Sequence, residues 1–139
     1  MLGDLVMKEE YIEISSYEGE GYQAVIDYME WRVAILNYID ELEIQNITSM
    51  QKHNETDEVF VLLKGNCTLF TGEMGDSIGE IDSIAMEPLK FYNVKRGVWH
   101  THTLDKEGSV LIIENRNTDV DNSPRLELSE EQRQALNRH

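Results

Sequence analysis

The sequence predicts an all-β fold, built as a sandwich or a barrel of antiparallel strands. Short runs rich in β-branched and aromatic residues recur along the chain, and glycine and Asx residues separate them at short intervals. The gaps between these runs are too short for the helices of ten or more residues that alternate with strands in α/β proteins. The length of 139 residues suits one domain, and a hydrophobic fraction of 40% is enough to build its core.

The predicted elements follow one another as strands over most of the chain. Residues 1–20 are acidic and lack hydrophobic periodicity, so they are expected to form an N-terminal arm. Residues 21–29 are ambiguous between a helical turn and a strand, and the closely following Trp31 favours a strand. Further strands are predicted at residues 31–38, 44–53, 59–64, 67–71, 91–94, 98–104 and 109–115.

Three glycine-containing segments between the strands are predicted as turns. Gly65-Asn66 is expected to join strands 59–64 and 67–71 as a hairpin, because glycine suits the first central position of a type II′ turn. Residues 72–75 and 105–108 are predicted as the other two turns. Several strand segments are also apolar on both faces, notably 59–63 and 110–113, which indicates cover by an outer layer or by a dimer partner.

Residues 117–139 are predicted to form a tail that ends in a short C-terminal helix. Ser129 and Gln132 have the spacing of a capping box, and residues 130–138 are good helix formers. The side chains expected to pack the helix are Leu126, Leu128 and Leu136.

The composition argues against two classes of partner. Lys and Arg number 12 and Asp and Glu number 27, so the formal net charge is 12 − 27 = −15. Binding of nucleic acid needs clustered cations, and an anionic membrane surface repels an acidic chain. No apolar run approaches the ~20 residues that span a bilayer, and the N-terminus lacks a signal-peptide pattern, so a cytoplasmic location is expected. A single cysteine, Cys67, excludes an intrachain disulfide.

Three of the four histidines lie in two short strand-like segments. The first segment reads QKHNETDE and contains Gln51 and His53, and the second reads GVWHTH and contains His100 and His102. Side chains alternate between the two faces of a strand, so residues two apart point the same way. Gln51 therefore shares a face with His53, and His100 shares a face with His102.

If the two segments pair across a barrel, His53, Glu58 and His100 can converge inside it. Two imidazoles and one carboxylate suit a divalent transition metal that keeps open coordination positions. Each residue also has a structural interpretation. His53 can be a surface side chain at a strand end, Glu58 a solvated acid, and His100 a hydrogen-bonded core histidine.

The spacing of these residues resembles the two sequence motifs of the cupin superfamily. The first cupin motif runs His-x-His, three or four residues, Glu, six residues, Gly, and the second contains Pro-x-Gly-x-x-His. The matching residues here are His53, Glu58, Gly65, Gly97 and His100. Gln51 stands at the position of the first histidine, where it can offer a weaker carbonyl ligand, and Lys95 stands where proline is usual.

The resemblance covers about residues 31–115 and implies a small single-domain cupin spanning residues 1–139. Its core, about residues 22–116, would be a double-stranded antiparallel β-barrel, also called a jelly-roll. The resemblance also implies a bound divalent metal (Fe, Mn, Ni or Zn). Because cupins commonly dimerise, a homodimer is expected.

Other residues are candidates for the substrate pocket. His102 can act as a ligand or as a general base near neutral pH. Phe60 and Trp99 can form pocket wall or core. Arg32 lies in an apolar strand, where it can clamp a substrate carboxylate or pair with one of the many acids.

Two classes of function remain open from the sequence. One is a metal-dependent enzyme acting on a small molecule, with isomerase, lyase, dioxygenase and decarboxylase chemistry all possible. The other is a non-catalytic small-ligand-binding or sensory module with a degenerate or empty metal site, and a purely structural role is a third possibility. The acidity adds a constraint, because an anionic substrate would need local cations such as Arg32, Lys95 or Arg96.

Overall fold

A computed structural model describes residues 10–139 of the chain, which form ten strands and one helix. The strands are β1 (Tyr22–Tyr28), β2 (Trp31–Asn37), β3 (Ser49–Gln51), β4 (Glu58–Lys64), β5 (Thr68–Met74), β6 (Asp82–Ala85), β7 (Phe91–Val94), β8 (Val98–His102), β9 (Ser109–Asn115) and β10 (Arg125–Glu127), and the helix is α1 (Glu130–Asn137). The prediction of a strand within residues 21–29 is confirmed by β1. Residues 10–20 form neither strand nor helix, and residues 1–9 of the predicted arm lie outside the described residues.

The strands form two antiparallel five-stranded sheets. The first sheet has the order β1-β2-β9-β4-β7, and the second has the order β10-β3-β8-β5-β6. Each ladder of hydrogen bonds between the described strands stays within its own sheet, so the arrangement is a two-sheet sandwich rather than one closed barrel. The all-β prediction is therefore confirmed, whereas closure into a double-stranded barrel is not observed.

The main hydrophobic core lies between the two sheets. Alternate residues of β4 and β9 point inward from the first sheet, and Leu69 of β5 meets them from the second. The inward residues of β4 and β9 include Phe60, Leu62, Val110 and Ile112, all almost fully buried. Cys67 joins this core, where burial raises the pKa of its thiol to about 12, and the charge of Asp105 adds to the effect.

A second core lies on the outer face of the second sheet, under α1. Met50, Phe70 and Trp99 pack there against Leu128 and Leu136. The predicted capping box is present, because Ser129 Oγ accepts from the Gln132 backbone N–H and the Gln132 side chain accepts from the Ser129 N–H. Leu126 is 36% exposed and belongs to neither core, so its predicted packing role is wrong.

The predicted hairpin at Gly65-Asn66 is wrong. Strand β4 pairs with β7 and β9, while β5 pairs with β6 and β8, so this turn carries the chain from one sheet to the other. Gly65 has φ +80°, and a Cβ there would lie 2.5 Å from the Cα of Gly108. A tight hairpin and a tight crossover both need a glycine of positive φ, so the local sequence does not distinguish them.

Two further predictions were partly wrong. Residues 72–75 do not end β5, because the strand continues to Met74 with a register shift after Thr71, which marks a bulge. Of the predicted strand 44–53, only β3 is extended, and Ile44–Asn46 forms a 3-10 turn. The turn at residues 105–108 is present, and it joins β8 to β9 across the two sheets.

No helix among residues 10–139 is long and apolar enough to cross a membrane.

Candidate metal centre

Three inward-facing residues from separate elements meet between the two sheets. His53 lies in the segment between β3 and β4, Glu58 is the first residue of β4, and His100 lies in the middle of β8. All three are at least 95% buried. The Nε2 atoms of His53 and His100 each lie 3.0 Å from the same oxygen, Oε1 of Glu58.

The outer nitrogen of His53 is a hydrogen-bond donor. Its Nδ1 atom lies 2.7 Å from Ser123 Oγ, and that hydroxyl donates to Oδ1 of Asn122 at 3.1 Å. Oδ1 of Asn122 also accepts from the Asp119 N–H, and its Nδ2 donates to the Asn117 carbonyl, which fixes the orientation of the amide. Because the Ser123 hydrogen is already donated, Ser123 Oγ accepts from Nδ1–H of His53.

Nδ1 of His100, the ring nitrogen that faces away from Glu58, is also a hydrogen-bond donor. Its Nδ1 atom lies 3.0 Å from the carbonyl oxygen of Val98, which can only accept. In both histidines Nδ1 faces an outward acceptor, which leaves Nε2 as the nitrogen that faces Oε1 of Glu58 and could bind a metal ion. Metal-binding histidines are oriented in the same way, by an acceptor on the nitrogen that does not touch the ion.

Three potential ligand atoms therefore converge: Nε2 of His53, Nε2 of His100 and Oε1 of Glu58. Burial would raise the pKa of Glu58, but the hydrogen bonds and charges of the two histidines outweigh it and hold that pKa well below its usual range. The carboxylate is thus ionised. Ligands held about 2.1 Å from one ion lie about 3.0–3.4 Å apart, which agrees with the two 3.0 Å separations. This buried cluster could bind a metal ion.

Phe60 and His102 extend the site along the inward face. The Phe60 ring meets His102 edge-on at 5.3 Å between centroids, and it meets His100 at 6.2 Å. Nδ1 of His102 is buried and has no hydrogen-bond partner within residues 10–139. Burial, and secondly the neighbouring His100, lowers the pKa of His102 to about 4, so this imidazole is neutral at pH 7.

Gln51 lies in the same cross-strand row as His100, but its oxygen has another partner. The two residues are register partners on β3 and β8, so they share the inward face. Oε1 of Gln51 accepts from Nη2 of Arg125 at 2.6 Å. Gln51, the predicted fourth ligand, is thus hydrogen-bonded to an arginine.

The structure does not bring Trp99 to the cluster. It neighbours His100 in β8 and therefore points to the opposite face, into the second core. Its Nε1 donates to the Gly75 carbonyl at 3.0 Å, and the Lys52 ammonium lies 4.9 Å from the ring centroid. Trp99 is thus core, which was one of its two sequence interpretations.

Arg32 faces the interior but is paired with an acid. Its Nη2 lies 2.7 Å from Oε2 of Glu114, and the same oxygen accepts from Tyr22 OH at 2.5 Å. Burial, and then the charge of Glu58, raises the pKa of Glu114. Glu114 was missed by sequence reasoning. Strand parity could have found it, because it shares the inward face of β9 with Ile112.

Ser123 and Arg125 were also missed. They flank Pro124 in a polar tail, and nothing in the local sequence marks either as a neighbour of a histidine or a glutamine sixty or more residues earlier. Backbone bonds from Lys52 N–H to the Pro124 carbonyl and from Asn54 N–H to the Asn122 carbonyl place this tail beside the cluster.

Two surface cavities of about 470 and 600 Å³ border α1. Neither is lined by a residue of the cluster, so they are separate from this centre.

A two-sheet antiparallel sandwich with an inward His–Glu–His cluster is typical of a cupin-like fold, and solved structures agree. A cupin-2 domain protein from Shewanella frigidimarina matches with a TM-score of 0.53 at 16% identity, over 72% of this chain and 85% of that one. Pac13, a nucleoside dehydratase, matches with a TM-score of 0.55 at 6% identity, over 84% of this chain and 88% of Pac13.

A third similar structure belongs to a longer protein. CapF, a capsular polysaccharide assembling protein from Staphylococcus aureus, matches with a TM-score of 0.56 at 19% identity over 83% of this chain, which spans 32% of CapF. No protein-family model matches the chain, and no curated protein sequence does. At these identities the likeness establishes the cupin-like fold.

Proposed function

We propose that this chain is a single-domain cupin-fold protein that binds a divalent transition metal and acts on a small molecule. The observation that carries the proposal is the convergence of the potential ligand atoms of His53, Glu58 and His100, with an acceptor behind each imidazole. These three residues would hold Fe, Mn, Ni or Zn. When bound, such an ion supplies Lewis-acid polarisation or activates a bound water.

The chain's own residues support an enzyme with open coordination positions. Three protein ligands leave room for a substrate, and Gln51 does not compete because its oxygen is bonded to Arg125. The Phe60 ring packs edge-on against His100 and His102 and gives the site an apolar side. We assign His102 as the group that accepts a hydrogen bond or a proton from substrate, because it is neutral and Nδ1 has no partner among the described residues.

The similar structures support a small-molecule ligand. Pac13 has been solved with uridine, and CapF has been solved with the inhibitor 3-isopropenyl-tropolone. Both are compact organic molecules of the size that the interior of a small β-fold holds. Isomerase, lyase, dioxygenase and decarboxylase chemistry are each compatible with the proposed site.

A non-catalytic binding module is the second candidate. It is favoured by the close hydrogen bonds that join both histidines directly to Glu58, since such a triad can also stabilise a core as a fully paired polar network. The two candidates differ in metal content, because a purely structural triad requires no ion.

Metal analysis of the untagged full-length protein tests the proposal. We expect about one equivalent of a transition metal after growth with supplementation, and its loss in His53→Ala and in His100→Ala. Glu55→Ala is the matched control, because Glu55 is an exposed acid two residues from His53. If the folded wild type takes up no Fe, Mn, Ni or Zn, the metal proposal is wrong and the binding module is favoured.

We also propose that the protein is a homodimer that associates through the outer face of the first sheet. The apolar side chains on this face include Trp31, Val33, Ile35, Val59, Val61, Phe91, Leu111 and Ile113. Their cross-strand rows contain no charged residue, although the chain carries a net charge of −15. Two copies of such an acidic protein can approach most easily where the acids are absent.

A further inference from the structure

We infer that Arg125 is the anion-recognition residue of the proposed site, and that the substrate therefore carries a carboxylate or a phosphate group. The inference rests on the proposed function, because it places the anion beside the metal centre. It goes further by naming the substrate class and a specificity-determining residue.

The backbone register places Arg125 on the same face as the metal ligands. Arg125 of β10 is the register partner of Gln51 in β3, and Gln51 is the register partner of His100 in β8. Partners across neighbouring strands project to one side of a sheet. Arg125, Gln51 and His100 thus form one row that runs from the exposed edge of the second sheet to the cluster.

Two neutral side chains hold the Arg125 guanidinium. Nη1 donates to Ser49 Oγ at 2.9 Å, and Nη2 donates to Gln51 Oε1 at 2.6 Å. A guanidinium has five N–H donors, so three remain for a ligand. Neither acceptor carries a charge, so the positive charge of Arg125 is not neutralised by the groups that orient it.

Two other cations near the cluster, Arg32 and Lys52, are engaged elsewhere. Arg32 is paired with the carboxylate of Glu114 at 2.7 Å. Lys52 points to the opposite face, where its ammonium donates to the Gly75 carbonyl at 2.7 Å and lies over the Trp99 ring. Arg125 is exposed and is held in position, which suits the first contact with an incoming anion.

The charge of the whole protein makes this contact important. With a net charge of −15, an anion approaches against a repulsive field unless a local cation offsets it. A divalent ion with one carboxylate ligand has a net charge of +1, so the metal and Arg125 would attract the same kind of substrate. A charge-assisted, fork-shaped contact to an oxyanion is the typical use of arginine.

The same interaction explains why glutamine stands where the cupin motif has its first histidine. Gln51 has a neutral carbonyl oxygen that can accept from a guanidinium, whereas a histidine ligand would direct its lone pair to the metal. In this chain Gln51 orients Arg125 instead of supplying a fourth ligand to the metal.

Calorimetric titration with three matched probes tests the inference. Benzoate, phenyl phosphate and neutral benzamide have the same ring, and they are titrated into the full-length protein with and without Ni²⁺. We expect at least one anion to bind about tenfold more tightly than benzamide to the wild type. The stronger anion identifies the carboxylate or the phosphate as the recognised group.

The variant Arg125→Gln should weaken binding of that anion about tenfold to thirtyfold and leave benzamide binding unchanged, because a charge-assisted contact is lost. Arg125→Lys should retain part of the affinity. Arg133→Gln is the matched control, because Arg133 is an exposed arginine on α1 whose guanidinium donates to the Gln45 carbonyl at 3.5 Å. Ni²⁺ affinity should be the same in all variants.

Two results would overturn the inference: equal anion affinity in wild type and Arg125→Gln, or no preference for either anion over benzamide. Failure of the metal proposal is recognised separately, because it appears as absence of Ni²⁺ binding in the wild type. In that case the titration without metal still measures how far the affinity for the anion depends on Arg125.

Discussion

Single hydrogen bonds determine which nitrogen each histidine offers to the interior. Ser123 accepts from Nδ1–H of His53, so Nε2 is the nitrogen left to bind a metal. We predict that Ser123→Ala lowers the affinity for Ni²⁺ about tenfold, because removal of an outer partner of a ligating histidine typically has that effect. Calorimetric metal titration measures it.

Ser77→Ala is the control for this variant, since Ser77 is exposed in the turn after β5. Thermal unfolding of the metal-free proteins shows whether Ser123→Ala remains folded. Unchanged Ni²⁺ affinity in a folded Ser123→Ala protein would mean that His53 does not depend on Ser123 for its orientation.

Asp105 makes a pH-dependent contribution to the stability of the fold. It lies in the turn at residues 105–108, where the chain passes between the two sheets. Its carboxylate accepts from the backbone N–H of Asn66 at 3.0 Å and from Asn66 Nδ2 at 2.8 Å, and these bonds lower its pKa. A carboxylate with a lowered folded pKa stabilises the fold above its unfolded pKa of about 3.9, and this stabilisation is lost as the pH falls through the folded pKa.

We therefore predict that Asp105→Asn lowers the free energy of unfolding by about 0.5–1 kcal/mol at pH 7, a small value because the site is largely solvent-exposed. The difference from wild type should shrink below about pH 4, where the wild-type carboxylate begins to be protonated. Urea unfolding at several pH values measures it, with Asp76→Asn as an exposed control. A difference that grows on acidification would contradict this account.

Sequence reasoning found the three cluster residues because their spacing reflects strand parity and resembles the two motifs of a known superfamily. It did not assign Gln51 or Arg32 to their partners. Those partners, Arg125 and Glu114, lie 74 and 82 residues further along the chain. Only the sheet register brings them together, and register between distant strands is not encoded by local pattern.

At the scale of elements, most strands and the C-terminal helix were predictable, because both depend on local chemistry. Helix α1 begins at a capping box, and the core strands repeat apolar residues with a period of two. The pairing of the strands was less predictable. Strand β4 is followed at once by β5, yet the two belong to different sheets.

The crossover at Gly65 can be tested against a second glycine of positive φ. A Cβ at Gly65 would lie 2.5 Å from the Cα of Gly108, whereas a Cβ at Gly75 would have no atom within 4 Å. We predict that Gly65→Ala costs about 3 kcal/mol of unfolding free energy and Gly75→Ala about 1 kcal/mol. Both substitutions include the cost of placing alanine at positive φ. The difference between the two values therefore reports the close contact between the Gly65 turn and the Gly108 turn.

Urea unfolding of the metal-free proteins measures both values. Equal destabilisation by the two substitutions would show that Gly65 and Gly108 are not closely packed. It would then favour a looser connection between β4 and β5.

At the scale of the whole molecule, the apolar outer face of the first sheet contrasts with the acidic remainder. Trp31 is 44% exposed and Phe91 is 76% exposed on this face. We predict that the wild type sediments as a dimer at micromolar concentration and that Trp31→Glu sediments as a monomer, because a buried unpaired charge opposes association.

Val120→Glu is the control, because Val120 is 88% exposed in the turn before β10 and lies outside the apolar face. It should remain dimeric. A monomeric wild type at micromolar concentration would refute the proposed dimer without affecting the metal centre.

The proposal that His53, Glu58 and His100 hold one metal ion can be tested in a crystal of the full-length protein grown with Zn²⁺. An anomalous difference map, from data collected on both sides of the metal edge, locates the ion. We predict one peak about 2.0–2.3 Å from Nε2 of His53, Nε2 of His100 and a carboxylate oxygen of Glu58. A map with no peak there, while both Nε2 atoms remain 3.0 Å from Glu58 Oε1, would contradict it.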